Sequence, residues 1–135
     1  MVSSASNSSL QKGLQQHLEQ TKQHAQRLEE VFESLNLKPE AKKCDAMEGL
    51  VMSGEHVIEN TVAGTEARDT GITLSALKVE SFEIAAYNGL IQLATTLGYP
   101  NVADVLNKNL SDEMNAQAEL TALTEKRSSK LAGTK

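Results

Sequence analysis

The stretch Ala76-Leu77-Lys78-Val79-Glu80-Ser81-Phe82-Glu83-Ile84-Ala85-Ala86-Tyr87 decides how the chain reads. Wound on a helix, Ile72, Ala76, Val79, Glu83, Ala86 and Leu90 form one line, and Thr73, Leu77, Glu80, Ile84, Tyr87 and Ile91 form the next. Two carboxylates therefore lie inside an apolar face. An ionised carboxylate leaves water only at high cost unless it meets a cation, a metal or strong hydrogen bonds. Glu80 and Glu83 thus need a partner: a metal ion, or else His17, His24, Lys78 or a backbone amide.

On the C-terminal side of this helix, Gly98-Tyr99-Pro100-Asn101 supplies a stop, a turn and a restart. So short a turn predicts an antiparallel neighbour, a fourth helix from about Val102 to Arg127. Its inward line is Val102, Leu106, Leu110, Glu113, Gln117, Leu120 and Thr124, which places a third carboxylate in a largely apolar stripe. On the N-terminal side, Thr61 to Thr65 reads as a loop around Gly64, preceded by a shorter helix over Glu40 to Asn60 that Gly49 and Gly54 weaken. Lys38-Pro39 ends a first helix running from about Leu10 to Leu37. The inward line of that helix is Leu10, Leu14, His17, Thr21, His24, Leu28, Val31 and Leu35. Residues 1–9 read as a flexible Ser/Asn tail in which Ser8 or Ser9 caps the first helix, and residues 128–135 as a second polar tail. The expected organisation is one all-α domain over residues 10–127.

Composition narrows the function. With 135 residues, 39% of them hydrophobic and 23% charged, the chain can bury the core of a single domain. Two prolines, no tryptophan and few aromatic residues favour helix over strand. The net charge of −5 and the lack of clustered Lys and Arg argue against nucleic acid and anionic membranes as partners. No run of about 18 apolar residues or secretory leader is legible, so the expected location is the cytoplasm. Cys44 is the only cysteine, which excludes an internal disulfide and a thiolate cage and reads as a small buried residue. Phosphate loops, nucleophile elbows and Cys/His metal spacings are absent.

The segments His17-Leu18-Glu19-Gln20-Thr21, Arg27-Leu28-Glu29-Glu30-Val31-Phe32, Lys43-Cys44-Asp45-Ala46-Met47-Glu48-Gly49-Leu50, Arg68-Asp69, Lys78 to Tyr87 and Leu97-Gly98-Tyr99 together resemble the YciF-like family of ferritin-like proteins. The resemblance covers about Leu10 to Leu123. It implies a rubrerythrin-like four-helix bundle with a short helix in the long crossover, a carboxylate-bridged di-metal centre of Fe or Mn, and a link to stress responses. It also implies that this chain lacks the family's first helix, which carries its own inward glutamate. Paired acids of the family are replaced by Glu19-Gln20 and Ser111-Asp112-Glu113, and serine stands at position 81 where the family commonly has histidine. A ferritin-type di-metal bundle uses one Glu from each of two helices and a Glu-x-x-His pair from each of the other two. No Glu-x-x-His occurs in this sequence.

The candidate metal ligands are accordingly Glu80, Glu83, Glu113 and His17. His24, on the same inward line as His17, ligates a metal or hydrogen-bonds a facing acid, the second being the commoner use of an inward histidine. Gln20 is a poor substitute for a bridging carboxylate. Glu48, Glu55, His56 and Glu59 read as a solvated face, and Tyr87 as a buried ring with a satisfied hydroxyl. Two functions follow. The first is a non-catalytic, self-associating helical bundle, because three long amphipathic helices without a fourth leave an apolar face that a homodimer covers. The second is a di-metal Fe or Mn protein with oxidase- or peroxidase-type activity.

Overall fold

A computed structural model describes the backbone of residues 1–132 and side chains through Glu125. Its elements are a short 3-10 turn (Val2–Ser4) and four α-helices: α1 (Ser8–Ser34), α2 (Asp45–Glu59), α3 (Glu66–Thr96) and α4 (Pro100–Ala132). No strand occurs among the described residues. The all-α bundle of three long helices and one short crossover helix is as expected. Helix α3 packs along α4, α1 packs on α4, and α2 lies on the far flank of α3.

Helix ends follow local chemistry. Asn7 caps α1, its side chain accepting from the Leu10 amide at 3.0 Å, so α1 starts two residues before the sequence suggests. Its other end comes before Lys38-Pro39. Asn36 takes a left-handed φ of 55°, and the amides of Asn36 and Leu37 turn back to the carbonyls of Glu33 and Phe32. The same closure ends α3, where Gly98 has φ 79° and the Gly98 and Tyr99 amides donate to Thr95 and Ala94. Helix α2 is shorter than expected because Glu40 to Cys44 stay outside it; Cys44 is its N-cap and is exposed rather than buried. Helix α4 runs past Arg127 to Ala132, so helix replaces the first part of the expected C-terminal tail. The remainder of that tail, residues 133–135, lies outside the described residues.

The N-terminal residues are docked rather than free of the bundle. Ala5 is buried, and Met1 and Val2 pack against a cluster of Leu10, Leu14, Ile72, Ala76 and Leu120. Asp69 is the anchor: its carboxylate accepts from the Ser6 amide, the Ser6 hydroxyl and the Asn7 amide at 2.7, 2.8 and 2.9 Å. A second apolar cluster, Tyr87, Ala94, Ala103 and Leu106, sits at the α3–α4 turn end of the bundle. Between the two clusters lies a polar layer.

Candidate metal centre

Each long helix contributes to that layer by its own periodicity. Helix α1 presents His17 and His24 two turns apart, α3 presents Glu80 and Glu83 one turn apart, and α4 presents Asn109 and Glu113 one turn apart. Glu80, Glu113 and Asn109 are buried with relative exposures of 2%, 0% and 0%. Such burial is exceptional for two glutamates in one core.

The imidazole of His17 lies between the acids, its Nε2 at 3.1 Å from Glu80 Oε1 and 3.6 Å from Glu113 Oε2. His17, Glu80, Glu83 and Glu113 each offer one donor atom such that all four lie within 4.8 Å of one another. His24 approaches the same cluster from the other side, with Nδ1 3.0 Å from Glu113 Oε1 and Nε2 3.1 Å from Asp112 Oδ2. The Glu113 contact has ion-pair distance but lacks hydrogen-bond alignment, so both Glu113 oxygens, Glu80 Oε2, His17 Nδ1 and His24 Nδ1 are buried without a hydrogen-bond partner. Buried polar atoms are rarely left this way.

Arg27, the nearby guanidinium, is committed elsewhere. Its Nη1 donates to Asp112 Oδ2 at 2.7 Å and to Asn109 Oδ1 at 2.9 Å, and Asn109 Nδ2 donates to the Tyr87 hydroxyl at 3.1 Å. Burial pushes the Asp112 carboxyl up, but hydrogen bonds from Arg27 and His24 together with their charges outweigh it and hold the group below the usual range. The inner acids have no such cation. Burial first, then the adjacent negatively charged Glu113 and after it Glu83, push Glu80 up to about 9, and burial followed by Glu113 pushes Glu83 up to about 7.

The four ligands expected from the sequence are thus brought together. Gln20 lines an adjoining cavity instead, Lys78 is exposed, and Glu48, Glu55, His56 and Glu59 form an exposed face on α2. Of the three residues Ser111, Asp112 and Glu113, it is Glu113 that points inward. The Arg27–Asp112–Asn109 chain went unforeseen. Arg27 stands one turn beyond His24 on the α4 side of α1, but an inward line scored on apolar residues passes over an arginine.

A helical bundle enclosing a histidine–carboxylate cluster is the class that fold and site define. Residues 1–132 match the DUF892 family, described as a domain of unknown function. Protein YciF of Escherichia coli strain K12 is 40% identical over 124 residues, 91% of this chain and 74% of that protein. The crystal structure of the E. coli stress protein YciF superposes with a TM-score of 0.90 at 38% identity, covering 96% of this chain and 81% of that one. YcfI, a putative structural protein from Rhodopseudomonas palustris, gives a TM-score of 0.84 at 36% identity over 89% of this chain and 76% of the other. The chain belongs to the DUF892 family.

Proposed function

We propose that this protein binds a divalent transition metal, Fe(II) or Mn(II), through His17, Glu80, Glu83 and Glu113. The observation that carries the reading is that buried Glu80 and Glu113 and half-buried His17 and Glu83 bring donor atoms within 4.8 Å of one another, while Glu80 Oε2 and both Glu113 oxygens lack hydrogen bonds. Ionised together, three carboxylates this close repel one another in a medium of low polarity, so Glu80 and Glu83 retain protons, and a divalent cation takes the place of those protons while satisfying the oxygens. The donor set of oxygens with one imidazole suits Fe and Mn. Four donors suit one cation per chain; a bridged pair requires donors beyond those gathered here.

The chain's own residues divide the work. Glu80 and Glu113, on facing helices, fix the spacing, and His17 closes the set from α1. His24 holds Glu113 from behind, and Asp112 with Arg27 holds His24. Bound there, Fe or Mn supplies one-electron redox chemistry toward oxygen or peroxide. A stress-related role is in keeping with the E. coli relative's description as a stress protein.

A second reading, self-association, is supported by a separate observation. Leu90 and Leu93 on α3, Leu97 at its C-terminal cap, and Leu18 and Phe32 on α1 are exposed at 36–60%. Leu90, Leu93 and Leu97, spaced three and four apart, share one helix face, and exposed large apolar side chains in such a row are characteristic of a protein interface. The non-catalytic, self-associating bundle and the metal-binding bundle are compatible.

Titration calorimetry with Mn(II) in two buffers of different ionisation enthalpy tests the metal reading. Saturation at one Mn(II) per chain with proton release, since ligation displaces the protons held by Glu80 and Glu83, is the expected result. Heat that is absent, or unchanged in Glu80→Gln/Glu113→Gln, contradicts it.

A further inference from the structure

A cavity of about 310 Å³ opens between α1 and α4 and reaches the cluster, with Gly13, His17, Glu80, Asn115, Glu119 and Leu120 among its lining residues. Glu80 is 2% exposed, and its unpartnered Oε2 belongs to a side chain that forms part of this lining. The polar part of the wall away from the cluster is made of amides and a carboxylate, Gln16, Gln20, Asn115 and Glu119, with no Lys or Arg among the described lining residues. Such a surface exchanges water for oxygen donors around a hydrated cation and repels an anion.

Gly13 adds an independent observation. It lies in the interior of α1, where glycine weakens a helix, yet its φ is not positive and a Cβ built on it meets no atom within 4 Å. Neither backbone conformation nor close packing calls for glycine here. What a side chain at position 13 does is fill space, and Gly13 lines both this cavity and a more open one of about 380 Å³ that shares Gln16, Glu119 and Leu123 and adds Lys12 at its outer side.

We infer that the α1–α4 cavity is the entrance through which a hydrated divalent cation reaches His17 and Glu80, with Gly13 keeping the passage open and Glu119 drawing the cation toward it. The inference rests on the metal reading above. Metal uptake is followed by stopped-flow mixing with Co(II), whose absorption reports ligation, on the unsubstituted chain, Gly13→Trp, Gly13→Ala and Glu119→Lys. Gly13→Trp is expected to retain helicity and the final Co(II) stoichiometry while loading at least about tenfold more slowly. Gly13→Ala, which adds only a methyl group, loads at the original rate, and Glu119→Lys slows loading in a salt-dependent manner. Equal rates for Gly13→Trp and the unsubstituted chain overturn the entrance and place the approach elsewhere. Slowing by Gly13→Ala as large as that by Gly13→Trp also overturns it, since a methyl cannot block the passage, and so does a folded Gly13→Trp protein that has lost its stoichiometry. Failure of the unsubstituted chain to take up Co(II) removes the metal reading itself and the entrance with it, an outcome distinct from the others.

Discussion

Glu80 keeps its proton to about pH 9 and Glu83 to about pH 7, whereas in the unfolded chain both titrate near 4.5. From 4.5 to 7 the folded, metal-free protein therefore holds more protons than the unfolded chain through both groups, and from 7 to 9 through Glu80 alone. Stability falls as pH rises through that window, by up to about 1.4 kcal/mol per pH unit for each group. Urea denaturation of chelator-treated protein is expected to give a higher midpoint at about pH 5.5 than at about pH 8. Glu80→Gln, neutral at every pH, flattens the dependence. A midpoint that climbs toward pH 8 contradicts the burial of these acids. Asp69 supports a second expectation at this scale. Removing its carboxylate in Asp69→Ala leaves the Ser6 and Asn7 amides without their acceptor, at a cost of about 1–3 kcal/mol. Hydrogen exchange should then accelerate in residues 1–10, and unchanged protection there contradicts the anchoring role. Glu80, Glu83 and Glu113 were legible in the sequence because a carboxylate breaks an apolar line visibly. Arg27 and Asp112 were not, because a charged residue at the edge of such a line looks the same whether solvent or a partner helix faces it.

The elements divide in the same way. Helix α3 and the Gly98-Tyr99-Pro100 turn were legible because a left-handed glycine followed by proline has few other uses. The end of α1 was not, since Asn36 closes the helix by a backbone conformation that composition does not announce. The N-terminal residues misled for a different reason. Serines and asparagine dominate residues 3–9, while docking depends on Met1, Val2, Ala5 and a carboxylate more than sixty positions away. The α2–α3 contact depends on glycine: a Cβ on Gly71 collides with Val57. Gly71→Leu is expected to destabilise the fold by about 1–3 kcal/mol through overpacking. Gly49→Ala, where a Cβ meets no neighbour, should stabilise it by about 0.5–1 kcal/mol. Thermal melts of the two variants read both signs, and destabilisation of equal size in both contradicts the packing of α2 on α3.

At the scale of the whole molecule, α1 packs on α4 and α4 on α3, while α1 reaches α3 through Leu10 and Leu14 against Ile72 and Ala76, through His17 at Glu80 and through His24 at Tyr87. The exposed leucines at the C-terminal end of α3 and its cap are expected to make the protein a dimer by light scattering, and Leu90→Gln/Leu93→Gln/Leu97→Gln to shift it toward monomer with the helical signal retained. A monomer before substitution contradicts self-association and leaves the metal cluster untouched. No described helix is long and apolar enough to cross a membrane.

Elemental analysis of untagged protein after anaerobic loading with Fe(II), and separately Mn(II), followed by desalting, tests the central claim most directly. One metal per chain in the unsubstituted protein, lost in Glu80→Gln/Glu113→Gln while the double variant remains folded, is the predicted result. Absence of stoichiometric metal, or equal metal in the double variant, contradicts the assignment of His17, Glu80, Glu83 and Glu113 as a metal centre.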